Sequence, residues 1–250
     1  MGIELFAFGC GWFQAPKPFF GCDDGTGVIM APVPAYLIRH PTHGMAVFDT
    51  GVGHRFRLAA DAVLPPEQIG FDFREGDELA ARLRAADIDP AAVRWVINSH
   101  LHPDHCGGNA FLPNATVVIQ RRELEAARRN EDGYMYDPVD FDLGQPLIGI
   151  DGEHDLFGDG TLMLFPTYGH TPGHQSARVK LASGDVVLTA DCCYMAHNLD
   201  HLCIPAINKD REASLDVLRR LRVMRDNGTR ILFGHDPDQW KRMPHGRPIT

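Results

Sequence analysis

The spacing of apolar positions changes several times along the chain, and each change predicts an element. Residues 3–8, 34–39 and 45–48 are apolar runs of strand length, and Pro41-Thr42-His43-Gly44 predicts a hairpin turn between the last two. Residues 93–98, 116–119, 161–166, 175–181, 185–189 and 230–233 read as further strands, with Ser183-Gly184 turning the chain before residue 185. Helical spacing appears in 77–87, where Leu79 and Leu83 share a face and Pro90 lies beyond the end. The clearest helix is 210–226, with Leu215, Leu218, Leu221 and Met224 as its buried stripe and Arg219, Arg220 and Arg222 on its wet face. Residues 121–130 predict a charged helix. Two stretches fit no period and read as long irregular loops, which are more often functional than idle. One is the aromatic segment between residues 8 and 34, and the other is 131–160, rich in Asp, Gly and Pro.

No repeat or low-complexity tract interrupts this order, and 250 residues suit a single domain spanning 1–250. Strand blocks alternating with a few helices predict an α/β architecture of two sheets face to face, helices outside, with ligand-bearing loops at one edge. Lys and Arg total 24 against 33 Asp and Glu, a net charge of −9, which argues against a nucleic-acid partner. No apolar run approaches the ~18 residues of a membrane span. The N-terminus lacks the pattern of a secretory signal. Six cysteines without Cys-x-x-Cys spacing suit a reducing setting, and the expected location is the cytoplasm.

The candidate chemistry lies in Ser99-His100-Leu101-His102-Pro103-Asp104-His105, directly after the apolar Trp95-Val96-Ile97. Each imidazole or carboxylate would need its own partner when buried. A divalent cation partners several at once. His170, Asp191 and His235 raise the ligand count to seven, enough for two ions. Alternate residues of extended chain point the same way, so His100 and His102 reach one cation. Pro103 then turns the chain, so Asp104 and His105 face a second position, and Gly107-Gly108 lets the backbone pass close by. His170 completes the first ion and His235 the second, and Asp191 has an oxygen for each. Two such ions share a water and lower its pKa. A nitrogen and oxygen donor set without thiolate suits zinc, with cobalt, manganese or iron compatible. No Gly-x-Ser-x-Gly elbow offers a serine nucleophile.

With Phe48-Asp49-Thr50-Gly51, Val118-Ile119-Gln120-Arg121-Arg122-Glu123, Gly169-His170-Thr171-Pro172-Gly173-His174, Asp191-Cys192-Cys193-Tyr194 and Phe233-Gly234-His235-Asp236, these motifs resemble the metallo-β-lactamase superfamily along nearly the whole chain. Within it the chain resembles the N-acyl-homoserine lactonases. The resemblance implies an αββα sandwich of two mixed β-sheets flanked by helices. It implies His100, His102 and His170 at one metal, Asp104, His105 and His235 at the other, and Asp191 bridging. Asp49 would orient a ligand histidine, and His174 would hydrogen-bond beside the site without being a ligand. The implied reaction opens the ring of an N-acyl-homoserine lactone by a metal-bridging hydroxide. Tyr194 would donate to the developing oxyanion and Asp104 would pass a proton to the leaving alkoxide.

Pro103 departs from the family pattern, which usually has an aromatic residue there close to the substrate. Trp12, Phe13, Phe19, Phe20 and Met30 fit an acyl-chain groove and fit equally a hydrophobic cap or a dimer contact, with Phe71, Phe73 and Phe141 weaker candidates. A homodimer through the N-terminal loop and a small acylated lactone are the expected partners. The Cys192-Cys193 pair reads as packed small hydrophobes, and His40, His43, His54, His154, His197, His201 and His245 as surface or loop residues. The rival readings are another hydrolase on the same metals (a glyoxalase II-type thioesterase, another ester or β-lactam hydrolase, an RNA nuclease), a di-iron oxidoreductase, and a non-catalytic metal-binding domain.

Overall fold

The computed structural model describes residues 2–21, 25–65 and 68–250. In chain order the first half holds β1 (Glu4–Pro16), β2 (Val28–His40), β3 (Gly44–Phe48), β4 (Gly70–Asp72), α1 (Leu79–Ala85), β5 (Val93–Ile97), α2 (Pro103–Cys106), β6 (Thr116–Gln120), α3 (Arg121–Arg128), α4 (Pro138–Phe141) and β7 (Leu147–Ile150). The second half holds β8 (His154–Asp155), β9 (Leu162–Pro166), β10 (Gln175–Leu181), β11 (Gly184–Leu188), α5 (Ala196–His201), α6 (Arg211–Asp226), β12 (Arg230–Leu232) and α7 (Pro237–Arg242). The strands form a seven-stranded sheet in the order β4-β1-β2-β3-β5-β6-β7 and a five-stranded sheet in the order β12-β11-β10-β9-β8. Both are mixed: β3, β5, β6 and β7 pair in parallel in the first, β11 and β12 in the second, and the remaining pairs are antiparallel.

Side chains alternate across a strand, so a sheet covered on both faces reads as a continuous apolar run. In β1, Leu5 and Ala7 enter the core between the sheets, while Phe6 and Phe8 pack on the other face with Leu79 and Leu83 of α1. Leu162, Leu164, Val179 and Leu188 answer from the second sheet. Its outer face packs Phe165, Val187 and Ile231 against Leu218 and Leu221 of α6, with Leu215 and Met224 partly buried beside them. Asp210 caps α6 by accepting from the Ala213 N–H. Leu218 is fully enclosed, so Leu218→Ala is expected to cost about 2–5 kcal/mol of unfolding free energy, read by denaturant melts.

The structure corrects the two irregular stretches. Most of the aromatic segment is a β-ribbon, in which β1 and β2 continue as an antiparallel pair and β4 adds beside Trp12–Gln14. Its glycines and prolines mimic loop signals. The register shifts between Gly9 and Trp12, and Pro32 and Pro34 precede Tyr36, where pairing with β3 begins. Residues 131–160 contain α4, β7 and β8, and α5 and α7 were also not legible. Each is six residues or shorter, too short for a period to show.

Candidate metal centre

Loops leaving the C-terminal ends of β3, β5, β9, β11 and β12 meet at one edge of the sandwich. β5 delivers His100 and His102, and Pro103 opens α2, which carries Asp104 and His105. Gly108 lets this turn touch the loop after β3: a Cβ there would lie 2.1 Å from the Thr50 carbonyl oxygen. The contact is fixed by Gly108 N–H to Gly51 O (3.1 Å) and Thr50 N–H to His105 O (2.8 Å). Asp49 (φ 57°) and Ala190 (φ 46°), which precedes Asp191, both hold left-handed backbone, strain of the kind that clusters at functional sites.

All seven candidate ligands converge there, none more than 6 % exposed. The donor atoms form two groups, His100, His102, His170 and Asp191, then Asp104, His105 and His235. Asp191 spans them. Its Oδ1 lies 3.0 Å from His105 Nε2 and 2.9 Å from His235 Nε2, and its Oδ2 lies 3.4 Å from His170 Nε2 and 3.9 Å from His100 Nε2. Asp104 Oδ2 lies 3.6 Å from His105 Nε2 and 3.7 Å from His235 Nε2.

The outward-facing nitrogens settle the tautomers. His235 Nδ1–H donates to the Pro32 carbonyl (2.7 Å) and His105 Nδ1–H to Asp49 Oδ2 (2.9 Å). His102 Nε2–H donates to Asp132 Oδ2 (2.9 Å). Ser99 gives its own proton to Asp49, so its oxygen accepts from His100 Nδ1–H (2.9 Å). Asn208 Nδ2 donates to Ser214, which turns Asn208 Oδ1 towards His170 Nδ1–H (3.2 Å). Each imidazole therefore points a lone pair inwards. His100 Nε2, His105 Nε2 and Asp191 Oδ1 are buried and lack hydrogen-bond partners. Facing lone pairs and carboxylates repel unless positive charge lies among them, so this donor set fits divalent cations.

In the metal-free protein the same demand for positive charge falls on protons held by His105 and His235, which bound metal would displace. Burial works against ionising Asp191, yet His105 and His235 hold its carboxyl well below the usual range. Burial also opposes charge on His105, but Asp191, Asp104 and Asp49 raise it well above an ordinary imidazole. Burial with His105, His102 and His170 pushes His100 well below, and burial is the main cause that takes His170 down to about 3.

Asp132, Asn208 and Glu123 are functional neighbours not singled out from the sequence. Glu123 is fully buried beneath both ligand loops. It accepts from Leu101 N–H, Tyr136 Oη–H, Thr171 Oγ1–H and Gly173 N–H. Its place in the Val118–Glu123 motif is the available signal; Asp132 and Asn208 have none beyond polar loop composition. Asp132→Asn is expected to weaken metal binding about 10- to 100-fold, measured by competition with a chromogenic chelator.

Beside the donors opens a cavity of about 600 Å³. Asp104, Asp191, His102, His235, Pro103 and Tyr194 form its metal-side wall. Phe13, Phe19, Phe71, Leu58, Ile69 and Ile207 make much of the rest apolar. Phe13 and Phe19 thus line the cavity, whereas Trp12, Phe20 and Met30 do not. Alternation on the ribbon is the reason: Phe13 faces inwards, while Trp12 and Met30 project from the opposite face, each 38 % exposed. Phe20 is fully buried edge-on to Tyr194. Phe73 and Phe141 are buried away from the cavity. Burial, then Asp191 and Asp104, keep the Tyr194 phenol well above its ordinary pKa, so it remains a donor.

His174 lies outside both donor groups, its Nδ1 2.8 Å from Thr167 Oγ1. Cys192 and Cys193 pack in the core beneath α6. His40 is a correction, being buried rather than superficial. With His43 and Asp159 it forms a third ligand-like group. Its Nδ1 accepts from the Thr42 and His43 N–H groups, so its Nε2–H donates to Asp159 and keeps no lone pair for a cation.

The sequence pattern of the Metallo-beta-lactamase superfamily matches residues 30–235. The N-acyl homoserine lactonase AttM of Azorhizobium caulinodans is 35% identical over 84% of this chain and 83% of its own. AttM of Agrobacterium fabrum is 35% identical over 95% of each. An N-acyl homoserine lactone hydrolase solved with N-hexanoyl-L-homoserine at its catalytic metal center superposes with a TM-score of 0.85 at 26% identity, covering 100% of both chains. The chain belongs to the metallo-beta-lactamase superfamily and to the lactonase family within it that these relatives represent.

Proposed function

We propose that this protein is a dinuclear metal hydrolase that opens the ring of N-acyl homoserine lactones, with zinc as the native metal. The observation that carries the reading is the largely apolar cavity opening onto His102, Asp104, Asp191 and His235 of the seven convergent donors, with Tyr194 in the same wall. Divalent ions bound there supply an ionised water near neutral pH and polarise a carbonyl oxygen. Tyr194 donates to that oxygen as negative charge develops. Asp104, at the cavity wall beside His105 and His235, passes a proton to the ring alkoxide as it leaves. The apolar wall excludes water and takes the acyl chain.

Each buried methylene is worth about 0.8 kcal/mol, or roughly fourfold in kcat/KM. N-decanoyl homoserine lactone is therefore expected to exceed the N-hexanoyl compound by about tenfold or more in kcat/KM, measured by proton release. Hydrolysis of a thioester or β-lactam with both lactones left intact would move the site to another substrate class.

No helix among the described residues is long and apolar enough to cross a membrane. Cys10, Cys106, Cys192 and Cys193 are free thiols, which supports placement in the reducing cytoplasm. Trp12, Val28 and Met30 lie on the outer face of the ribbon, each 38 % exposed, and support a homodimer through it. Sedimentation at micromolar concentration checks this, and a monomer would refute it.

A further inference from the structure

Two wall segments of the cavity come from opposite halves of the fold. One carries the largely exposed Tyr134 and then Met135, separated from Asp132 by Gly133, and the other carries Ile207, directly before Asn208 and Lys209. They meet in one ion pair. Lys209 Nζ bonds Asp132 Oδ1, while Asp132 Oδ2 accepts from His102 Nε2–H. On the Lys209 side the backbone is fixed to the other ligand loop: Lys209 N–H donates to His170 O (3.3 Å) and Asp210 N–H to Gly169 O (2.9 Å).

This differs from an ordinary surface pair, whose worth is small because water replaces either partner. The Lys209 side chain is 40 % exposed, but that of Asp132 is 7 % exposed. Asp132 thus depends on His102 and Lys209, and removing Lys209 leaves buried negative charge half compensated. The segment must then move to rehydrate it, and Tyr134 and Met135 move with it.

We propose that Lys209 is a positioning residue that clasps the two walls through Asp132 and so sets how tightly the cavity closes on the apolar part of a substrate. The substrate half of this inference rests on the lactonase reading; the clasp itself does not.

The test compares Lys209→Met and Lys209→Arg with the unsubstituted protein, each loaded with two equivalents of cobalt. Hydrogen exchange over 131–136 and 204–210 reads the clasp, and kcat and KM for N-hexanoyl and N-decanoyl homoserine lactones read its consequence. In Lys209→Met, exchange should quicken in both segments together. KM for the decanoyl substrate should rise about fourfold to tenfold, the worth of one or two buried methylenes, with kcat nearly constant and the hexanoyl KM less affected. Lys209→Arg should restore both. Unchanged exchange in Lys209→Met overturns the clasp. Faster exchange with equal losses on both substrates, or a fall in kcat alone, overturns its role in closure. If the unsubstituted protein opens neither lactone, the lactonase reading fails while exchange still decides the clasp.

Discussion

Asp191→Asn is expected to reduce kcat/KM for lactone opening by roughly 10³-fold or more, the scale on which several kcal/mol of charge stabilisation are lost. Bound metal should fall from two equivalents towards one. The cause is the division of labour on this carboxylate, whose Oδ1 faces His105 and His235 and whose Oδ2 faces His170 and His100. An amide keeps one oxygen and replaces the other with an N–H₂ group, which has no lone pair for a cation. It also removes the negative charge that balances the convergent imidazoles. Glu123 and Asp49 hold the ligand loops from beneath, so the fold should persist in the variant. Metal content by elemental emission, measured beside kcat/KM, checks both parts. Two metals with undiminished turnover would show that the bridge is unnecessary.

Tyr194→Phe carries the second-largest effect. The side chain is 2 % exposed and lies between the rings of His170 (5.8 Å) and His235 (5.3 Å). Phenylalanine fits the same space, so folding and metal content should be retained. The hydroxyl is the loss. Removing one preorganised donor to a developing oxyanion costs about 10²–10³ in kcat. The expected result is a fall of that size in kcat with KM within about threefold. A change confined to KM would assign Tyr194 to substrate binding alone.

The legible parts of the molecule were those whose signal is local. The stripe of α6 and the double-faced runs of β1 and β2 follow from period alone, because each element buries enough apolar surface to show its spacing. β7 did not, since Leu147 and Ile148 are exposed and pairing with β6 defines the strand. The ribbon escaped because Gly9, Gly11, Pro16, Pro32 and Pro34 break its apolar runs with residues that mark turns, so its pairing shows only in the fold. Sequence proximity therefore groups Trp12, Phe20 and Met30 with Phe13 and Phe19, and only the pairing of β1 with β2 separates Trp12 and Met30 from the cavity face. At the site, the ligand motifs were dense enough to read directly. The groups that aim the imidazoles were not: Asp132 lies 30 residues from His102, Asn208 38 from His170, and the Pro32 carbonyl 203 from His235. Only the fold brings them together.

The most direct test of the account is a zinc titration of metal-stripped protein, from zero to two equivalents, with N-decanoyl homoserine lactone as substrate and proton release as the readout. The account predicts no ring opening without metal and turnover that becomes complete at two equivalents. Two tightly bound zinc ions with the lactone left intact, or full turnover in the stripped protein, would contradict it.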